Sequence, residues 1–147
     1  MPATVQFDHE KLDVYKLELR FVTWVTELLR QTRETNSTET REVRNQLDRA
    51  SLSMLLNTAE GNGRRASLMR ARFFDDARGS ATECAACLDA LVAKQASENA
   101  RVAEGKAMLL RVVAILCKLV ERFDPEVRDM DRLIDSRTSR RTRTSTI

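Results

Sequence analysis

The chain has 147 residues, of which 42% are hydrophobic and 32% charged, with four glycines and two prolines, and this composition excludes a long disordered chain and an all-β fold. No stretch is apolar enough to span a membrane and the first residues lack the pattern of a signal peptide, so we expect a cytoplasmic protein without a membrane partner. The net charge is +3, but the arginines of residues 136–147 carry +4 and the remaining residues −1, so basic charge alone does not indicate nucleic-acid binding.

The first long segment of helical periodicity runs over about residues 10–31, with Asp8 as a candidate N-cap. Its apolar residues form two neighbouring seams, which make a broader apolar face than one adjacent helix covers. The first seam contains Leu12, Tyr15, Leu19, Val22 and Leu29, and the second contains Val14, Phe21, Val25 and Leu28.

A polar loop over residues 32–38 follows, in which Asn36 or Ser37 is able to cap the next helix. The second helix is predicted over about residues 39–60. We expect Gly61 and Gly63 to end it, because glycine readily adopts the left-handed conformation after a last helical turn. Its inward residues are predicted to be Val43, Leu47, Ala50 and Met54, with Leu55 and Leu56 widening the apolar face.

The third helix is predicted to begin near Ser67, and a short link at residues 97–99 separates it from the fourth, over about residues 100–123. Pro125 ends the fourth helix or starts a new one, because proline fits only the first turn of a helix. The apolar seam of the third helix contains Phe74, Ala77, Ala81, Cys84, Leu88 and Leu91, and that of the fourth contains Val102, Leu109, Val112, Leu116, Leu119 and Phe123.

These segments predict an all-α protein, an antiparallel up-and-down four-helix bundle over residues 9–124 after an N-terminal lead, residues 1–8. A short helical extension, residues 125–135, is supported by Val127, Met130 and Ile134, and residues 136–147 are predicted to be a disordered Arg-rich tail. Helices one and four carry more apolar surface than one bundle interior needs. We therefore expect a homo-oligomer with cyclic symmetry.

The supply of reactive residues does not favour an enzyme. His9 is the one histidine, which excludes a di-iron bundle and leaves a single candidate base for a nucleophilic relay. Cys84 and Cys87 have the spacing of redox and zinc motifs, but they lie in mid-helix without a second pair. We interpret them and Cys117 as small buried hydrophobes, with a weak metal or redox role as the alternative. No catalytic, metal or cofactor residue is predicted.

The segment 61–67 superficially suggests a phosphate-binding loop, but it follows a helix and lacks the Gly-Lys-Ser/Thr ending of that motif. Its glycines, its arginines and the helix N-terminus after it nevertheless suit an anion, and a simple helix hairpin explains it equally well. Arginines continue along both neighbouring helices, and a solvated face with ion pairs is the alternative to a binding surface. The candidate nucleic-acid-binding residues are Arg41, Arg44, Arg49, Arg64, Arg65, Arg70, Arg72 and Arg78.

Three runs, residues 46–53, 57–64 and 72–83, carry a resemblance to a known family, and residues 12–15 add to it. They resemble the bacterial four-helix bundle proteins encoded in intervening sequences of 23S rRNA genes, to which the accessory variability proteins of diversity-generating retroelements are similar in fold. The resemblance covers about residues 7–123. It implies a homopentamer whose basic surfaces bind nucleic acid, RNA more than DNA, and for the retroelement relatives a reverse transcriptase partner.

Carried over position by position, the resemblance places Arg49, Arg64 and Arg72 on basic positions of the family pattern. It also assigns a structural role in the hairpin to Asn57, Glu60, Gly61 and Gly63. Asp48, Asp75 and Asp76 depart from the pattern and lower the charge of the basic surface.

The sequence thus predicts a non-enzymatic, homo-oligomeric bundle that binds structured RNA through arginines near the second interhelical turn and in the tail. The alternative is an oligomeric scaffold that docks a protein such as a reverse transcriptase, with the RNA contacts supplied mainly by that partner.

Overall fold

The computed structural model describes residues 4–35 and 38–143. A 3-10 turn, Asp8–Lys11, precedes α1, and no strand is found in these two ranges. The all-α class and the four long helices are therefore confirmed. The α-helices are α1 (Asp13–Thr35), α2 (Arg41–Gly63), α3 (Ser67–Ala93), α4 (Asn99–Phe123) and α5 (Pro125–Arg143).

The four long helices close into a bundle around one core. Each packs against its neighbour in the chain, and α4 packs back against α1. Short connections between long helices favour this antiparallel up-and-down order. The largest fully buried apolar side chains in the core are Phe21, Phe74, Leu28, Leu47, Met54, Leu88, Leu91 and Leu116.

The predicted seams match this core closely. All six seam residues of α3 are buried, and in α1 the second of the two predicted seams faces inward. Leu19, from the first seam, is exposed. Leu56 is exposed as well, so the prediction that it widens the inward face of α2 is wrong.

The chain enters α1 differently from the prediction, because the 3-10 turn delays the start of the helix to Asp13. Asp8 begins this turn and does not cap α1. Its Oδ2 accepts a hydrogen bond from Nδ2 of Asn62 over 3.0 Å, which ties the turn to the end of α2. The candidate caps Asn36 and Ser37 lie outside the described residues.

The end of α2 corrects the prediction about its glycines. Gly61 and Gly63 both lie inside the helix, and no described glycine has a positive φ. The reason for Gly61 is close packing, since a Cβ there would lie 2.9 Å from the Cβ of Phe73. The left-handed conformation occurs instead after α3, at Gln95 with φ 60°. There Ala96 N–H bonds to the carbonyl of Leu91 over 2.9 Å, as in a Schellman cap.

The C-terminal helix is longer than predicted. α5 continues to Arg143, so residues 136–143 are helical where a disordered tail was predicted, and 144–147 lie outside the described residues. No glycine or proline interrupts the chain after Pro125. The hydroxyl groups of Ser136 and Thr138 also bond back to carbonyls of the preceding turn, at Leu133 and Ile134.

Candidate nucleic-acid interface

A polar cluster ties together the end of α2, the start of α3 and the chain before α1. Asn62, whose Nδ2 donates to Oδ2 of Asp8, accepts a hydrogen bond at Oδ1 from Nη2 of Arg70 over 3.2 Å. Nη1 of Arg70 lies 3.4 Å from the carbonyl oxygen of Arg64. The hydrogen bond from Asn62 lowers the pKa of Asp8, and the charges of Lys11 and Arg70 act in the same direction.

Arg70, predicted as a nucleic-acid-binding residue, is mainly an internal cross-link. Its guanidinium lies over the ring of Phe123 at the end of α4, 4.7 Å from the centroid. Its Nε is buried and has no hydrogen-bond partner among the described residues. The side chain therefore joins α2, α3 and α4 at this end of the bundle, with two of its five N–H donors hydrogen-bonded within the described residues.

Three arginines near the same turn face solvent: Arg64, Arg65 and Arg72, hereafter the turn arginines. The guanidinium of Arg64 lies 4.7 Å from the centroid of the Phe73 ring and 3.6 Å from a carboxylate oxygen of Glu60. α3 begins here without a side-chain cap, so the free N–H groups of its first turn add positive potential. The turn arginines and this helix end together suit an anion.

Arg41 and Arg49 lie along a different surface. Both line a groove of about 640 Å³ between α2 and α3, which Glu42 and Glu83 also line. At 1.5 Å per residue, Arg41 is roughly 30 Å and Arg49 roughly 18 Å along α2 from Gly61. The structure therefore does not bring these two arginines together with the turn arginines.

Two further predicted residues contact other side chains of the bundle: Arg44 is buried, whereas Arg78 forms an exposed ion pair on α3. Arg44 is only 7% exposed, and its Nε donates to the hydroxyl of Thr40 over 3.2 Å. Arg78 Nε donates to Asp75 Oδ1 over 2.9 Å. Helical periodicity turns Arg44 inward beside Leu47, so it is buried in the wall of a groove between α1 and α2 that Arg30 and Arg33 also line.

The residues expected to pin the hairpin divide into two groups. Asn57 Nδ2 donates to the carbonyl and hydroxyl oxygens of Ser53, and that hydroxyl lies 3.1 Å from the hydroxyl of Ser80 on α3. This chain of contacts joins α2 to α3, as does the close packing of Gly61. Glu60 is exposed beside Arg64, and a Cβ at Gly63 would meet open space.

A buried carboxyl in the core was missed by the sequence analysis. Glu18 in α1 is fully buried, and its Oε1 accepts a hydrogen bond from the Thr58 hydroxyl over 2.6 Å. Burial raises its pKa to about 8, although the hydrogen bond acts in the opposite direction. The sequence does contain a pattern that indicates this burial: Glu18 lies between Val14 and Phe21 at helical spacing, on the inward face of α1.

The remaining reactive residues are placed as follows. Cys84 and Cys87 are buried free thiols, and burial raises the pKa of Cys84 to about 12, which disfavours the nucleophilic thiolate. His9 packs its ring against those of Phe7 and Tyr15.

Within residues 4–35 and 38–143, no group of three or more His, Cys, Asp or Glu side chains is arranged to hold a metal ion. None of the helices described is both long and apolar enough to cross a membrane.

Comparison with protein families gives one match, to the model described as 23S rRNA-intervening sequence protein, over residues 10–118. The matched part runs from the 3-10 turn through most of α4 and includes the α2–α3 turn. A comparison with curated proteins gives no match.

Proposed function

Because the chain belongs to the 23S rRNA-intervening sequence protein family, we propose that it is a non-enzymatic cytoplasmic protein that binds structured RNA through the turn arginines. Family membership indicates a role associated with RNA. The finer assignment depends on one observation: Arg64, Arg65 and Arg72 are exposed around an uncapped helix N-terminus. Arginine suits phosphate because its planar fork is always charged and donates two parallel hydrogen bonds.

The packing of Arg64 supports this assignment. Stacking on Phe73 holds the guanidinium in place at the surface, so less side-chain freedom is lost when a phosphate binds. Glu60 competes for the same group, but an exposed ion pair at 3.6 Å contributes little. Phosphate contacts of this type give affinity without sequence specificity.

We further propose that the protein is a homo-oligomer, with the pentamer that the family resemblance implies as the expected state. Large apolar side chains remain on the outer surface of the bundle, among them Leu19 on α1 and Leu110 on α4. Burial between copies would remove this surface from water. Assembly would repeat the turn arginines, so that several weak contacts act together on one RNA.

The second candidate function is an oligomeric scaffold for a protein such as a reverse transcriptase. A groove of about 720 Å³, whose lining includes Leu52, Leu56, Ala59 and Arg49, favours this alternative. Capture of a protein partner that survives ribonuclease treatment would support the scaffold, and loss of the partner after the same treatment would support RNA binding.

Fluorescence anisotropy with a structured RNA at several salt concentrations tests the RNA proposal. We expect replacement of all three turn arginines with glutamine to weaken binding at least roughly tenfold and to reduce the salt dependence by two to three released counterions. The matched control replaces Arg20, Arg33 and Arg111, which are also exposed and carry the same charge. Equal weakening by both triple variants, or unchanged binding by the first, would show that the turn is not the site.

A further inference from the structure

The groove between α1 and α2 is lined by three arginines that the proposed RNA site does not use. Arg30 and Arg33 are one helical turn apart on α1, and Arg44 and Asp48 are one turn apart on the face of α2 opposite them. The groove, hereafter the arginine groove, has a volume of about 310 Å³. That volume lies at the lower end of the range found for small-molecule sites.

Arg44 gives the arginine groove a positive charge in a fixed position. Its side chain is 7% exposed, and its Nε donates to the hydroxyl of Thr40 over 3.2 Å. Burial and this hydrogen bond hold the guanidinium in the groove wall, so little side-chain freedom is lost when an anion binds against it. Arg30 and Arg33 are exposed and reach the groove from α1.

The arginine groove is positively charged overall. Its three guanidinium groups outnumber the carboxylate of Asp48, the acidic residue in its lining among the described residues, which leaves a net charge of +2. Glu27 competes from beside the groove through an ion pair with Arg30. Because both side chains of that pair are largely exposed, the pair contributes little, and an anion with two charges is expected to displace Glu27.

The size and charge of the groove favour a phosphate monoester. Such a group carries about two negative charges at neutral pH and three terminal oxygens, which match the net charge and the three guanidinium groups. A carboxylate or a phosphodiester of an RNA backbone carries one charge. A backbone phosphate also has a nucleotide on each side, whereas a terminal phosphate enters a narrow recess from one direction.

We propose that the arginine groove binds a terminal phosphate group, carried by a free mononucleotide or by the 5′ end of an RNA. At 1.5 Å per residue, Arg44 is roughly 26 Å along α2 from Gly61, so this site is separate from the turn arginines. The inference goes beyond the proposed function, because binding of a free phosphate monoester requires no RNA.

Isothermal titration calorimetry of the full chain with uridine 5′-monophosphate tests the site. We expect Arg30→Gln with Arg33→Gln to weaken binding at least roughly tenfold, because two charge-assisted contacts are lost. The matched control, Arg20→Gln with Arg111→Gln, removes the same charge at exposed positions outside the groove and should bind like the parent. Circular dichroism checks that each variant retains its helices. Absence of binding by the parent, or equal weakening by both double variants, overturns the proposal.

Two further titrations test the chemistry of the ligand. Glu27→Gln is expected to tighten binding by up to roughly fivefold, because a neutral amide competes less for Arg30. A dinucleoside monophosphate, whose phosphate is a diester, should bind at least roughly fivefold more weakly than uridine 5′-monophosphate. Equal binding of the monoester and the diester would show that the groove attracts any anion, and would overturn the assignment.

Fluorescence anisotropy with one structured RNA, carrying either a 5′-phosphate or a 5′-hydroxyl, separates the two sources. If Arg30→Gln with Arg33→Gln weakens binding only of the 5′-phosphorylated RNA, the source is an RNA end. If it weakens neither RNA but abolishes mononucleotide binding, the source is a free compound. Equal weakening with both RNAs would assign the groove to the RNA backbone and overturn the proposal. Replacement of the turn arginines should leave mononucleotide affinity unchanged, so failure of the RNA proposal is distinguishable from failure of this one.

Discussion

The hydroxyl of Thr58 in α2 donates a hydrogen bond to Oε1 of Glu18 in α1 over 2.6 Å, inside the core of the bundle. The second carboxyl oxygen, Oε2, has no partner in the described part of the chain. Burial raises the pKa of Glu18 to about 8, so the group is predominantly protonated at neutral pH. The core thus contains a neutral carboxylic acid held by one hydrogen bond.

The first prediction concerns the pH dependence of stability. The unfolded chain releases the Glu18 proton near pH 4.5, whereas the folded chain holds it to about pH 8. Between these values the folded state binds more protons, so its contribution to stability is complete below pH 4.5 and is lost as the pH rises to 8. At about 1.4 kcal/mol per pKa unit, the loss is on the order of 5 kcal/mol.

Glu18→Gln tests this dependence, because glutamine does not titrate. We expect the parent protein to lose unfolding free energy from pH 5 to pH 8 in urea titrations, and the variant to lose much less. Thr58→Val removes the hydrogen bond that lowers the pKa of Glu18 and should move the pH window upward. A parent protein whose stability rises across the window would contradict the assignment.

The second prediction compares two helical glycines. A Cβ at Gly105 in α4 would overlap the six-membered ring of Trp24, whereas a Cβ at Gly79 would meet nothing within 4 Å. Gly105→Ala should therefore destabilise the protein by about 1–3 kcal/mol through overpacking. Gly79→Ala should stabilise it by roughly 0.5–1 kcal/mol, because alanine has the better helix propensity. Urea denaturation measures both.

A double variant checks the mechanism at Gly105. If the ring of Trp24 causes the loss, Trp24→Leu should accommodate Gly105→Ala, and the two changes together should cost less than the sum of the separate costs. Additive costs would mean that Trp24 is not responsible.

The third prediction concerns the cap after α3. Gln95 holds φ at 60°, which a side chain with a Cβ adopts at a cost that glycine avoids. Gln95→Gly should raise the unfolding free energy by about 1 kcal/mol, as measured by thermal or urea denaturation. Gln95→Ala keeps the Cβ and is expected to give no comparable gain, so an equal gain from both variants would rule out relief of strain.

The fourth prediction separates two arginines of the α2–α3 turn. Arg70→Ala should lower the unfolding free energy by about 1–3 kcal/mol, because it removes the contacts to Asn62 and Phe123. Arg65→Ala, at an exposed position, should leave stability nearly unchanged. Arg70→Lys should not restore the loss, since an ammonium group lacks the planar fork. Equal stability of the Arg70 and Arg65 variants would contradict the cross-linking role.

Helical periodicity predicted the bundle well because burial follows the 3.6-residue repeat directly. The seam from Phe74 to Leu91 is buried throughout, and Pro125 marks the start of α5 as expected. The start of α1 was harder to locate. A carboxylate just before a helix suggests an N-cap. Asp8 instead accepts a hydrogen bond from Asn62, a residue 54 positions away in the sequence.

The candidate site was predicted less well, because the charge of an arginine does not indicate whether its side chain faces solvent or the core. Sequence spacing could not separate the exposed Arg65 from Arg44, which is buried, or from Arg70, which spans three helices. The sequence also did not show why position 61 is a glycine. A Cβ at this position would collide with Phe73 on α3, and this contact exists only in the packed structure.

The contact between Trp24 and Gly105 makes the residue tolerated at one position depend on the residue at the other, although the two are 81 residues apart in the sequence. The indole fills the volume that any side chain at position 105 would occupy. A residue larger than glycine at 105 therefore requires a smaller residue at 24. Over evolutionary descent the two sites are expected to change as a pair: lineages that acquire a larger residue at 105 should carry a smaller one at 24.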